Sequence, residues 1–449
     1  MNIEIPKNVK YIIETLENCG YEAYTVGGCV RDSLLGKVPK DWDICTSALP
    51  EQTKNCFCGE RIIETGLKHG TITLMLENEP FEITTYRADG KYSDNRRPEQ
   101  VKFVNVLKRD LARRDFTINA MAYNPKTGIV DYYGGQQDLA EKKIKCVGNP
   151  DKRFKEDALR IMRALRFAVA FGFCIDENTA KAMSDNKKLL QNISSERIAT
   201  EINKIIMEDN ICELLFSHLH ILFEIIPELE PSFGFDQHSP YHCFDVLTHT
   251  LKTVENSPND LIVRLTMLFH DIGKPECYTC DEDGIGHFRG HWQVSADMAK
   301  EILFRLRYDN ETIKTVTELV YYHNLVIDPN AKSIKQMLNK IGEKKFMQLM
   351  DVKKADIMAK AVEYRAEQID IINETIILAN EIIDQKQCYS LKNLAINGKD
   401  LIKIGVKEGA EIGKILNMLL DMVIDESVEN DKIKLLKTVE KLNNLKEGE

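Results

Sequence analysis

The chain has 449 residues, with 60 Lys and Arg against 70 Asp and Glu and a formal net charge of −10 at pH 7. That length exceeds what one hydrophobic core usually serves, so two to four units are expected and a lone binding module is excluded. No apolar run approaches the roughly 20 residues of a membrane span, and an acidic chain must meet any polyanion through a local basic patch. The amino-terminal MNIEIPKNVKYIIETLENCG reads as a lead into an amphipathic helix without the apolar run of a secretory signal, so a cytoplasmic location is expected. Twelve cysteines scattered from Cys19 to Cys388 do not form a disulfide framework. Cys56 with Cys58 and Cys277 with Cys280 are close pairs that read as plain thiols rather than a zinc site.

In chain order, Glu22 to Val26, Thr71 to Leu76, Phe81 to Tyr86 and Val101 to Val104 are short, β-branched or alternating, and bounded by Gly, Asn, Asp or Pro, as strands are. From Tyr86 to Arg114 there are nine basic and four acidic residues, a concentrated positive stretch. Beyond Asp151 apolar residues recur at spacings of three and four, in Ala158 to Ala170, Ile198 to Met207, Leu261 to Phe269, Met298 to Leu306 and Leu436 to Leu445. The reading is a mixed first third and a helical remainder. Pro, Gly or Asn interrupts the period near Asn149-Pro150, Pro231 to Gly234 and Asp328 to Asn330.

Gly27-Gly28 lies between a predicted strand and a predicted helix, where backbone N–H groups and the helix dipole favour phosphate. Gly36 can close that helix in the left-handed conformation. Asp41-Trp42-Asp43 then falls on a predicted strand, whose period of two puts both carboxylates on one face, a pair suited to Mg²⁺. Glu82 sits on another predicted strand and is the candidate third carboxylate. Glu156, Arg160, Arg163 and Phe167 follow helical spacing, so a charged stripe runs beside an apolar one over a single predicted helix from Glu156 to Phe167.

Six segments resemble the class II tRNA nucleotidyltransferases, the CCA-adding enzymes, within the polymerase β-like nucleotidyltransferases: GGCVRDSLLGKVPKDWDI (27–44), ETGLKHGTITL (64–74), EITTYRADGKYSDNRRPEQVKFV (82–104), RRDFTINAMAYNP (113–125), DYYGGQQDL (131–139) and EDALRIMRALRFA (156–168). The resemblance implies an α+β multidomain chain: a nucleotidyltransferase head (1–150), a helical neck with the nucleotide-selecting motif and an RNA-binding region (151–235), then helical parts ending in a body and tail (341–449). It implies addition of C, C and A to a tRNA 3′ end from CTP and ATP, with release of pyrophosphate.

Asp41, Asp43 and Glu82 would be catalytic, with two Mg²⁺ ions on Asp41 and Asp43. Gly27, Gly28, Arg31, Arg114, Asp115, Asn119 and Arg163 would bind the nucleotide, Asp115 from the ribose-recognition motif. Asp157 and Arg160 would hydrogen-bond the base edge in place of a template, and Arg96 and Arg97 would bind RNA. Relatives that add only CC lack the loop after the Glu82 strand, whereas this chain retains Arg87 to Pro98, which implies the terminal A as well. Poly(A) polymerases share the head but differ around Thr65 to Thr71. An A-adding enzyme, a poly(A) polymerase or a chain that is mainly a phosphohydrolase are the alternatives. The body and tail would grip the tRNA acceptor and TΨC arms by phosphate and shape contacts, with helical packing or a dimer surface as the equal alternative; the oligomeric state stays open.

Seven of the ten histidines fall between His238 and His323. His249, His270-Asp271, His287, His291 and His323 resemble the HD metal-dependent phosphohydrolases, implying an HD domain over 236–340. Such a domain would hold Mn²⁺, Ni²⁺, Co²⁺, Zn²⁺ or Fe²⁺ on His249, His270, Asp271, His291 and His323, with Lys274 near the phosphate. Its closing ligand would come from Asn324 or Asp328. A degenerate scaffold is the alternative.

Overall fold

The structure is a computed structural model that describes residues 3–64, 66–89 and 101–446. Arg96 and Arg97, and most of the loop after the Glu82 strand, lie outside the described residues. The chain divides into two compact units, Met1–Pro227 and Glu228–Glu449.

In the first unit α1 (Lys7–Asn18) leads into β1 (Ala23–Val26), α2 (Gly28–Leu34), β2 (Ile44–Thr46) and α3 (Pro50–Cys56). There follow β3 (Arg61–Ile63), β4 (Thr71–Leu76), β5 (Glu79–Thr85), and a separate antiparallel ribbon of β6 (Arg87–Asp89) and β7 (Val101–Phe103). After α4 (Leu107–Ala112), β8 (Met121–Asn124) and β9 (Gly128–Asp131) complete a seven-stranded sheet of order β3-β4-β5-β2-β1-β8-β9. Val9, Ile12, Ile13 and Leu16, three or four apart on α1, pack with Ile44, Ile72, Leu74 and Ile83 on one face of this sheet. Val26, Cys45, Tyr86, Leu107, Leu111 and Ala122 form the core of the other face.

The pairing that positions the candidate site is β2 with β5. These strands run parallel, with Ile44 opposite Ile83, and both isoleucines are buried in the same core. The residues just before them, Asp43 and Glu82, therefore turn to the opposite face side by side. The strand begins at Ile44, so Asp41 and Asp43 are not on it as the sequence suggested. They occupy an extended lead-in held by a hydrogen bond from Val26 N–H to the Asp43 carbonyl, 3.0 Å.

Helices α5 (Gly135–Ala140), α6 (Pro150–Glu156) and α7 (Leu159–Phe171) follow. Asn149 caps α6 by accepting from Lys152 N–H, with Pro150 at its first position. The continuous helix expected from Glu156 to Phe167 is broken. Asp157 adopts extended backbone (φ −141°, ψ 102°), its carboxylate accepts from Leu159 N–H, and α7 starts afresh. A residue whose side chain bonds its own backbone two positions on competes with the helix. Gly172 ends α7 at φ 65°. Helices α8 (Glu177–Asn186), α9 (Ser195–Ile206), α10 (Ile211–Phe216) and α11 (Leu219–Ile225) complete this unit.

The second unit contains α12 (Val246–Glu255), α13 (Leu261–Phe269), α14 (His291–Arg305), α15 (Asn310–Tyr322), α16 (Ala331–Ile341), α17 (Glu343–Met358) and α18 (Arg365–Asp384). Its last helices, α19 (Gly398–Lys403), α20 (Ala410–Ile424) and α21 (Lys432–Lys446), share a small core of Ile396, Leu401, Leu419, Leu420, Ile424, Leu435 and Val439. Among the described residues no helix is long and apolar enough to cross a membrane.

Candidate functional site

Asp41, Asp43 and Glu82 line one recess of ≈ 680 Å³ together with Lys7, Lys40, Trp42 and Thr73. Among the described residues none of the three carboxylates has a hydrogen-bonding or ion-pairing side-chain partner. The surrounding protein raises the pKa of the Asp43 carboxyl by taking it from water; Arg114 opposes the shift and the neighbouring Asp41 charge adds to it. Adjacent, unpartnered carboxylates of this kind fit a divalent cation, which would relieve their repulsion.

Gly27 sits beside this recess at φ 84° as the residue before α2. That backbone conformation favours glycine, and a Cβ there would lie 2.8 Å from the end of the Arg114 side chain. The Gly27 N–H is spent on the Met121 carbonyl (3.1 Å), so it is not among the amides free for phosphate as the sequence suggested. Gly36, at φ 72°, closes α2 as expected. Arg31 is 8% exposed: its guanidinium pairs with Asp32 at 2.8 Å and donates to Asn119 Oδ1 at 2.5 Å.

Asn119 in turn donates to Asp115, 3.1 Å, and Asp115 accepts from Phe116 N–H (2.8 Å) and from Arg163 Nε (2.8 Å) and Nη2 (2.5 Å). Burial alone would raise the Asp115 pKa; Arg163 and these donors outweigh it and hold the carboxyl well below its ordinary value. Arg31, Asn119, Asp115 and Arg163, four residues nominated from sequence, thus form one connected chain. Arg160 N–H donates to the Asp157 carbonyl, 3.1 Å, and the two side chains have other partners. The Asp157 carboxylate pairs with Arg197 at 3.1 Å, while Arg160 donates to Glu156 (3.0 Å) and to the carbonyls of Arg153 and Arg113.

The histidine cluster lies in the second unit. His249 is on α12, His270-Asp271 follows α13, His291 opens α14 and His323 follows α15. The ligand atoms of His249, His270 and Asp271 gather within 4.8 Å of one another, as do those of Asp271, His291 and His323, so Asp271 is common to both groups. The Nδ1 atoms of His270, His291 and His323 bond the carbonyls of Met267 (2.7 Å), Phe288 (2.7 Å) and Val320 (2.6 Å). Each Nδ1 is therefore the donor, and each Nε2 faces inward; burial lowers His291 and His323, whereas the Asp271 carboxylate beside its Nε2 raises His270. The Nε2 atoms of His291 and His323 face each other at 3.2 Å. Two lone pairs at that distance repel unless a cation lies beside them, so the donor set fits a metal. Burial pushes His291 down to about 4, keeping the ring neutral as a ligand must be.

Asn324 lines the same cavity as Asp271, His291 and His323, and Asp328 is exposed. Asp356 of α17 comes within 3.0 Å of His249 Nε2 and 3.9 Å of His270 Nε2. Lys274 pairs with Asp271 and Lys360 with Asp356, both at 2.7 Å. His287 stands apart from the ligand groups, paired with Asp281 at 2.8 Å, and all described cysteines are free thiols.

Three family models match: "Poly A polymerase head domain" over residues 23–145, "Probable RNA and SrmB- binding site of polymerase A" over 172–233, and "tRNA nucleotidyltransferase domain 2 putative" over 288–439. A CCA-adding enzyme of Lactobacillus helveticus is 35% identical over 96% of this chain and 96% of its own. Another, of Enterococcus faecalis, is 32% identical over 97% and 96%. The chain belongs to the CCA-adding enzyme family. Among solved structures, the Bacillus stearothermophilus CCA-adding enzyme in complex with CTP aligns over 98% of both chains, with a TM-score of 0.72 and 27% identity. The Thermotoga maritima CCA-adding enzyme complexed with tRNA shares the fold at a TM-score of 0.58 and 21% identity, over 98% and 97%. The fold is that of the family: a polymerase-type mixed-sheet head followed by a mostly helical remainder.

Within this CCA-adding enzyme fold, sequence reasoning missed Arg197, Arg166 and Asp356. Arg166 lies one turn beyond Arg163 on α7 and pairs with Glu201 at 3.0 Å; its spacing was the available signal. Because Asp115 is buried and its carboxyl depressed, its contribution to stability is complete above the ordinary Asp value near 4 and is lost as pH falls towards the native value. Asp115→Ala is expected to cost about 3 kcal/mol by leaving Arg163 unpaired. Urea unfolding at pH 7 and below pH 3 checks this, the difference between wild type and variant shrinking at the lower pH.

Proposed function

We propose that this chain completes the 3′ end of tRNA, adding C, C and A from CTP and ATP without a nucleic-acid template. The observation that carries the reading is the recess of Asp41, Asp43 and Glu82 beside the Gly27 bend and Arg114, in a chain of this family. Relatives named for CCA addition along nearly their whole length, and one solved with CTP, support C and A over poly(A) synthesis. The domains proposed are the head 1–150, the neck 151–235, the HD domain 236–340 and the body and tail 341–449, acting on tRNA in the cytoplasm.

Asp41 and Asp43 would hold two Mg²⁺ ions with Glu82 as a third carboxylate; bound there, the metal supplies activation of the 3′-hydroxyl and neutralises the triphosphate. Arg31 and Arg114 attract and orient the phosphates. Asn119 and Asp115 fix Arg31 against Arg163. Asp157, an acceptor, and Arg160, a planar donor, read the edge of cytosine or adenine, with Arg197 steadying the carboxylate. The test is a tRNA lacking its terminal CCA incubated with each labelled nucleotide. CTP and ATP should enter and GTP and UTP should not, and Asp41→Ala or Asp43→Ala should lower incorporation by about 10³-fold or more, equivalent to several kcal/mol of lost stabilisation. Equal uptake of all four nucleotides, or an active Asp43→Ala, contradicts the proposal.

A second reading concerns the His/Asp cluster and rests on the facing Nε2 atoms of His291 and His323. We propose that His249, His270, Asp271, His291 and His323, with Asp356, hold a transition metal for hydrolysis of phosphate esters in a cavity of ≈ 310 Å³ lined by Asp271, His291, His323 and Asp356 with Lys274 and Lys360. Elemental analysis after incubation with Mn²⁺, Co²⁺, Ni²⁺ or Zn²⁺ and desalting should find retained metal in the wild type and its loss in His270→Ala, with nucleotide addition unchanged. Metal-free wild type after all four incubations contradicts it.

A further inference from the structure

Arg31, Arg163 and Arg166 converge on one pair of rings. Phe167 and Phe171, four apart on α7, stack with centroids 5.8 Å apart and planes within 5°. The Arg31 guanidinium carbon lies 4.7 Å from the Phe171 centroid and 5.3 Å from that of Phe167; Arg163 and Arg166 lie 5.3 and 4.3 Å from Phe167. The Lys37 ammonium stands 5.2 Å from Phe171. Phe116 and Phe167 meet edge to face with centroids 5.8 Å apart.

Four cations cannot share so small a space without something between them. Asp32 engages Arg31, Asp115 engages Arg163 and Glu201 engages Arg166, leaving one positive charge in excess. A further carboxylate under Arg31 would hold it as firmly but would cancel the charge it offers to a triphosphate. An aromatic face does neither: its quadrupole attracts the guanidinium, limits its rotation and leaves the formal charge in place. Phe171 is only half-buried, unlike Phe116 and Phe154, which are completely enclosed in the core. Filling the interior is therefore not its main use.

We propose that Phe171, with Phe167 beneath it, is a positioning residue for nucleotide binding: it holds the Arg31 guanidinium flat beside the phosphate bend without adding a second counter-charge to that of Asp32, and through the Arg31–Asn119–Asp115–Arg163 chain ties that bend to the nucleotide-selecting helix. The inference rests on the reading of Arg31 as a triphosphate ligand. Because it acts on the phosphates and not the base, its loss affects CTP and ATP alike.

The test is steady-state CMP and AMP addition with KM and kcat measured separately for CTP and ATP, on tRNA lacking its 3′ end or the final A. Phe171→Leu is expected to raise both KM values about five- to tenfold, the range of a partly desolvated cation–aromatic contact, with kcat within about twofold. Phe171→Tyr should restore both. Should the leucine variant fail to fold, Phe171→Trp, whose larger face binds cations more strongly, is expected to lower both KM values. Arg31→Ala is the control and should raise both KM values at least as much. Unchanged KM values in Phe171→Leu while Arg31→Ala raises them would overturn the inference alone. So would a fall in kcat only, a loss that tyrosine fails to rescue, or an unchanged KM in Phe171→Trp. No effect of Arg31→Ala on either KM would overturn the reading of Arg31 beneath it.

Discussion

Like charges brought together at a fixed spacing cost energy in a folded chain unless a counter-charge arrives with the ligand. The pairing of β2 with β5 imposes that cost on Asp43 and Glu82. Ile44 and Ile83 must be buried on one face of the sheet, so the residues before them must share the other, and Asp41 follows two positions earlier on the same extended segment. The hydrophobic core thus sets the direction of the carboxylates. Arg114 answers part of the Asp43 charge, and Gly27, at φ 84°, brings the backbone close to the end of that arginine. The recess, the bend and the arginine are one arrangement, and the remainder of the head serves to hold it.

Charge compensation is handled differently away from the recess. Asp115 is buried and satisfied four times over, which makes it a fixed point for two arginines on separate segments. Arg163 reaches it directly and Arg31 through Asn119. Here the carboxylate holds the arginines in place, whereas Asp41 and Asp43 have no side-chain partner among the described residues. In the His/Asp cluster of the second unit carbonyls fix each Nδ1 as a donor, which turns each Nε2 inward, those of His291 and His323 toward each other.

Much of this was legible in the sequence because the informative residues are close neighbours. Gly27-Gly28, Asp41 with Asp43, and His270-Asp271 each carry their chemistry within a few positions, and the helical period of the later chain is strong. Asp356 was not legible. It lies 85 residues beyond Asp271 and four before Lys360, so in sequence it reads as a surface i,i+4 ion pair on a lysine-rich helix. Only the packing of α17 against the histidine-bearing helices gives it another role. Arg197 was hidden for the same reason, as its partner Asp157 is forty residues away. The break at Asp157 was missed because its flanks both have helical periodicity. What ends the helix is a side chain bonding its own backbone, which apolar spacing cannot report.

The central claim is that Asp41 and Asp43 capture divalent ions around an incoming nucleotide. Anomalous diffraction from crystals of the protein soaked with Mn²⁺ and a non-hydrolysable CTP analogue tests it most directly. The account predicts manganese peaks between the two carboxylates, with the triphosphate against Gly28 and Arg31. A nucleotide bound elsewhere, or manganese absent from that recess while the nucleotide is present, would contradict it.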